Sequence, residues 1–420
     1  MNPNADCWTR LLRVVPVLCS VAVGMGCSSC RKESRREPGQ AVPPAASFEV
    51  APGRLQAPWS WTPTDAREVA VPAGCKLTGP PHRHLRDTRN LFFLASAGDP
   101  GTLAVASGDP SPGHVTDFRG LVGLGTDAPG SVRDVPWLHL LDPPIMASSA
   151  KGWIALLSEH DGLGPSNRVW LWREGGHLDL LAEGDRLAPV DARCDASGCV
   201  VLTTHAGQVA TRGATAWVGD PGAPISGWTR VEIPAEHVEE GAVALGVAQW
   251  DVASRSVLVV FEDPEHVAFV RATAATVKGE GKIDRGHVVL DFLAMRDGPM
   301  VVMTRGEPDA NGCVAAGAQV EIAMPGRPPH TLPTPVPPSS GYVRVLNKGA
   351  FMTWAAPMHC RVPERKVVYG VLLRADGAPA SSTMALGNAD GHAVTTRGDE
   401  VHVWLSDSQG VTWIRAKCEP

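Results

Sequence analysis

Tyrosine is almost missing from this 420-residue chain: only Tyr342 and Tyr369 occur, against 13 tryptophans. Lysine is scarce beside arginine, and no like-charged run exceeds a few residues, so no electrostatic footprint for nucleic acid is present. No apolar run reaches the roughly 20 residues that a spanning helix needs. From about residue 85 onward, no stretch of ten or more residues carries a 3.6-residue apolar period, which excludes a helical core. Also absent are a G-x-S-x-G elbow, a phosphate loop and an H-E-x-x-H helix, so no catalytic, metal or cofactor set is expected from motifs. No cofactor is assigned.

What is present is punctuation. Gly (44) and Pro (37) are spread along the chain, as many short strands joined by turns require. One unit recurs: a moderately apolar strand, a tight turn, then a strongly apolar strand. It is seen at 146–158, 191–204, 248–261, 292–304, 343–355 and 393–406, with a blurred copy at 89–107. The second strands start near 152, 198, 256, 298, 349 and 399, a period of roughly 50 residues, which lies in the range of propeller blades. Further strands follow, such as RVWLWREG (168–175), HVAFVRATA (266–274) and KVVYGVLL (366–373). The predicted fold is therefore all-β: a β-propeller of four-stranded blades over 48–420, seven by this division, with six or eight also compatible. Stacked sandwiches are the alternative. The closing blade lacks one strand, and REVAVPAGCKL (67–77) is the nearest segment to supply it.

The N-terminus reads separately. Arg10 and Arg13 precede Val14–Gly26, thirteen uncharged residues that suit a signal h-region. They end in Gly24-Met25-Gly26-Cys27, which resembles the lipobox of bacterial lipoproteins, with Gly26 matching and Gly24 and Met25 departing from the usual residues. That resemblance implies a signal peptide over 1–26, acylation of Cys27 and a membrane anchor. Ser28 after the cysteine implies the outer membrane. Residues 27–47 are polar and Pro/Ala-rich, a composition for a flexible tether. Cleavage after Gly24, giving a secreted or periplasmic protein, is the other reading.

Six cysteines remain in the body, and an even number in an exported chain favours disulfides. Cys194 and Cys199 flank a turn and are expected to pair. Cys75 with Cys418 would tie the chain ends, leaving Cys313 with Cys360. His82-Arg83-His84 reads as a solvated loop beside Pro80-Pro81 rather than a metal site. The adjacent acids Glu239-Glu240 and Glu262-Asp263 point apart if extended, so neither is an acid/base pair by spacing.

The last repeat contains Ser406-Asp407-Ser408-Gln409-Gly410-Val411-Thr412-Trp413, which resembles the Asp-box of sialidase-like propellers, S-x-D-x-G-x-T-W. Ser406, Gly410, Thr412 and Trp413 match, while Ser408 stands at the aspartate position. The resemblance implies a turn between the outer strands of a blade. It also implies chemistry elsewhere, near the axis: three arginines, a Tyr–Glu nucleophile and an acidic Asp. The Arg-Ile-Pro motif of that family is missing. Tyr369 is expected to be packed, and Tyr342 opens a repeat and would sit near the axis. The function expected on these grounds is non-catalytic binding of an envelope protein or glycan, with a sialidase-like glycoside hydrolase as the alternative.

Overall fold

In the computed structural model the described residues are Val69–Leu85 and most of 145–420, with the backbone of strands within 47–63 and 91–140. Residues 1–46 and several connections, including 86–90, 125–138 and 307–317, lie outside the described set, as do Cys313 and Cys360. The proposed signal, Cys27 and the Cys313–Cys360 pairing therefore fall outside it. Among the described residues the only helical turns are two three-residue 3-10 segments. Among the described residues no helix is long and apolar enough to cross a membrane.

Strands dominate the remainder, and the fold is a β-propeller. Blades 3 to 6 are four-stranded antiparallel sheets in chain order, spanning 187–233, 243–284, 288–334 and 340–388. Blade 1 (91–140) is also four-stranded, blade 2 (145–185) has four strands plus Ser47–Glu49 paired outside His177–Asp179, and the two are joined at Leu140, which pairs with both Thr116 and Glu159. Blade 7 comprises Gly391–Arg397, Glu400–Asp407 and Gly410–Cys418, completed from the N-terminal side. The innermost strands, Leu91–Ser96, Ile145–Ser149, Leu187–Cys194, Val243–Asp251, Val288–Met295, Ser340–Leu346 and Gly391–Arg397, contact one another in that order. The seventh also contacts the first. The ring closes at seven.

Closure uses the N-terminal segment, with a difference from the sequence expectation. Of the described part of that segment, 69–77, only Cys75–Leu77 is strand, pairing with Ala416–Cys418. The outer strand resumes at His82–Leu85 against Gly410–Trp413, so His82-Arg83-His84 is ladder and not a free loop. Pro80 and Pro81 explain the break, since proline cannot donate to a ladder. A fifth strand, Ser60–Pro63, pairs outside His82–Leu85. Cys75 and Cys418 face each other in register and are bridged across 343 residues. Cys194 and Cys199 bridge the first hairpin of blade 3.

The apolar second strands are explained by what lies on either side. In Ser256–Glu262, Val257, Val259 and Phe261 pack toward blade 3, while Leu258 and Val260 pack toward blade 5. In Gly349–His359, Ala350, Met352 and Trp354 join blade 5, and Phe351 and Ala355 join blade 7. A strand covered on both faces must be apolar at every position rather than at alternate ones. Trp172, Trp354, Trp404 and Trp413 are fully buried, and Trp404 stacks on Trp413 at 4.9 Å. These four tryptophans are core.

Candidate functional site

Strand polarity defines two faces. Each innermost strand starts from a blade-to-blade connection, so those connections share one face with the turns between second and third strands. The turns joining first to second strands lie on the other face. The Ser406–Gly410 turn joins the second and third strands of blade 7, one hairpin further in than the Asp-box resemblance implies. Ser406 donates its Oγ hydrogen to the Gly391 carbonyl at 3.0 Å. Trp413 is sealed against Trp404, and Thr412 is half-buried in the same strand. Ser406 thus ties the second strand to the first, and Trp413 is core.

The charged side chains that converge lie instead on the innermost strands. Asp191 and Arg193 come from blade 3, Asp291 from blade 5, and Tyr342 and Arg344 from blade 6. Asp291 accepts four hydrogen bonds. Its Oδ1 takes Arg193 Nη2 at 3.2 Å and the Phe292 N–H at 2.9 Å. Its Oδ2 takes Arg344 Nη1 at 2.7 Å and the Val343 N–H at 2.8 Å. Arg193 also donates Nε to Asp191 Oδ2 at 2.9 Å and Nη1 to the Phe292 carbonyl at 3.0 Å. Asp191 Oδ2 receives the Val247 N–H of blade 4 at 2.9 Å, and Arg344 Nε reaches the Val394 carbonyl of blade 7 at 3.2 Å. One chain of ion pairs and backbone bonds thus links five consecutive blades.

Its local cause is a repeated bulge. The pairing register slips just before Asp191 and just before Asp291, at the same place in their strands. A bulge re-aims a side chain, and each aspartate then reaches the backbone of the next blade. Blade 4 slips at the equivalent place and carries Gly246 there, with φ +152. A Cβ at Gly246 would stand 2.4 Å from Asp191 Oδ2, so glycine admits the carboxylate.

Burial alone would raise the Asp291 carboxyl, but Arg344, Arg193 and the two N–H donors outweigh it, holding its pKa below the usual carboxylate value. Burial likewise works against charge on Arg193, and Asp191 and Asp291 reverse it. Both shifts favour the charged forms of Asp291 and Arg193.

At the edge of this cluster, the Tyr342 ring meets His392 edge-on at 4.9 Å and lies 5.1 Å beneath Arg344. Tyr342 is thus on an innermost strand, as its place at the start of a repeat suggested. Tyr369 stacks on Trp354 at 5.6 Å, packed as expected. His392 is buried and its Nε2 hydrogen-bonds Thr353 Oγ1 at 3.1 Å. Burial, with Arg344 and Lys366 nearby, lowers its pKa to about 3. An unfolded histidine titrates near 6.5, so between those values the unfolded chain binds more protons, and stability falls as pH drops through that window. From pH 7 to pH 5 this linkage removes about 2 kcal/mol. Urea unfolding at the two pH values should show that loss in wild type and a smaller one in His392→Gln.

A second cluster lies on the face of the blade-to-blade connections. Glu239, before blade 4, approaches Asp263 and His266 in the turn between its second and third strands. Neither it nor the axial network was visible in sequence. The only hint was a lone aspartate inside apolar runs, VDA at 190–192 and LDF at 290–292.

No family model and no curated protein matches the sequence. Similar solved structures include a neuraminidase-like protein of A/little yellow-shouldered bat/Guatemala, 9% identical, over 81% of this chain and 99% of that one, at TM-score 0.39. Another is a protein from Lactobacillus plantarum, 11% identical, over 78% and 96%, at TM-score 0.41. A prolyl endopeptidase is 15% identical over 79% of this chain and 47% of its own length, at TM-score 0.39.

Proposed function

We propose that the protein is an exported, lipid-anchored envelope propeller that binds a protein or glycan through loops on one rim and catalyses no reaction. The observation that carries this reading is the saturation of Asp291. Both of its oxygens are engaged twice, by two arginines and two N–H groups, and its pKa is lowered. A general acid for glycoside cleavage needs a raised pKa and a free proton position. The arginines, spent on Asp191, Asp291 and backbone carbonyls, are not poised to grip a substrate carboxylate. Side chains consumed in this way hold blades together and leave recognition to the loops. The anchor rests on the lipobox-like Gly26-Cys27 and the polar residues after it.

Purified mature protein tests the reading. Retention on an envelope polysaccharide, or an envelope partner that co-purifies, is expected without chromophore release from aryl glycosides. Release that Tyr342→Phe abolishes would overturn it in favour of the sialidase-like alternative. A clickable fatty acid should label wild type and not Cys27→Ala, and equal labelling of both would refute the anchor.

A further inference from the structure

Glu239, Asp263 and His266 each bring one ligand atom within 4.8 Å of the other two. The segments that carry them are held in place. Asp263 Oδ1 accepts the Glu265 and His266 N–H groups, both at 2.7 Å, and the Asp263 N–H bonds the His266 carbonyl at 3.0 Å. Those bonds account for one carboxylate oxygen. The other, Oδ2, is buried and has no hydrogen-bond partner, in a side chain only 6% exposed. An unsatisfied carboxylate oxygen in that setting costs free energy unless something positive completes it. The neighbours also show the need for positive charge, since Lys282 reaches across from the outer strand of blade 4 to Glu239.

We infer that Glu239, Asp263 and His266 form a binding site for one divalent transition-metal ion, with zinc as the best match. Two carboxylate oxygens and an imidazole are borderline donors of the kind zinc takes at about 2.0–2.2 Å, and three protein ligands leave a fourth position open. Tetrahedral ligands at that distance stand about 3.4 Å apart. Closing the present spread asks for a movement of up to about 1.4 Å, which the exposed Glu239 side chain can make by releasing Lys282. Asp263 and its turn form the rigid half of the site, and Glu239 the closing half. A metal here would also tie the connection before blade 4 to the turn inside it, on the face where the blade-to-blade connections gather.

Calorimetric titration of Zn²⁺ into the metal-stripped mature protein tests this, with Co²⁺ absorption reporting the donor atoms. One ion per chain is expected, with an oxygen and nitrogen spectrum free of thiolate charge transfer. Asp263→Asn and His266→Gln should each weaken binding at least about tenfold. Lys282→Gln should tighten it, because it removes the competing cation from Glu239. A merely structural ion-pair cluster would not respond that way. Lys282 and Glu239 are surface residues, so Lys282→Gln and Glu239→Gln keep the test valid if Asp263→Asn does not fold. No saturable binding, thiolate bands in the cobalt spectrum, or affinity unchanged in Glu239→Gln and Lys282→Gln would overturn the site.

Discussion

Asp291→Ala should cost about 3–5 kcal/mol of stability, more than truncation of any exposed charge in the chain. The side chain is 10% exposed, and its partners Arg193 and Arg344 are 19% and 27% exposed. Removing the carboxylate leaves two largely enclosed guanidinium groups facing each other. It also strips the acceptor from the Val343 and Phe292 N–H groups. Because the loss is the uncompensated charge rather than the attraction itself, it should be strongly non-additive. Arg344→Met should cost much less in the Asp291→Ala background than alone, and a double-mutant cycle by urea unfolding measures the difference. Additive costs would mean that the residues act separately.

The second large effect belongs to the bridge between the chain ends. Replacing Cys75 and Cys418 together by serine should cost about 6 kcal/mol by loop closure alone, since the bridge closes a loop of 343 residues in the unfolded chain. For a domain of this size that corresponds to a fall in Tm of about 8 °C. The Cys194–Cys199 bridge spans 5 residues and should be worth about a third as much. The contrast separates ring closure from local hairpin bracing. In a propeller the last blade is completed by a distant segment, so the first cooperative opening should begin where that segment leaves. Thermal unfolding of the two double-serine variants side by side decides it, and equal losses would contradict the closure role.

The physics explains which parts of this molecule were legible in sequence. The second strands of the blades were, because burial between two neighbours demands uninterrupted apolar runs such as SVLVVF and AFMTWAA, with a turn residue before each. The Cys75–Cys418 pairing followed from counting strands in the final repeat, and Cys194–Cys199 from the turn they flank. The outer strand at His82–Leu85 was hidden because its neighbouring prolines read as loop, and a ladder partner more than 300 residues away leaves no local trace. The axial network was hidden for the same reason. Asp291 meets Arg193 at a separation of 98 residues and Arg344 at 53, and neither spacing is a motif. Single apolar-flanked aspartates after a slipped register are nevertheless a usable signal, since VDA and LDF occupy equivalent places in two blades. The Ser406–Trp413 segment misled in the other direction. Its composition matches a box known for one turn, while the hairpin it closes here joins the second and third strands.

A structural lock and a reactive centre differ in how their buried carboxylate titrates, so the ionisation of Asp291 distinguishes the two roles. The protein labelled with ¹³C at aspartate Cγ, with Asp291→Asn to assign the resonance, should be titrated by NMR from neutral to acid pH. As a lock, Asp291 should stay ionised to below the usual carboxylate value of about 3.9. A titration midpoint raised to about 6 or above, where a general acid works, would contradict it.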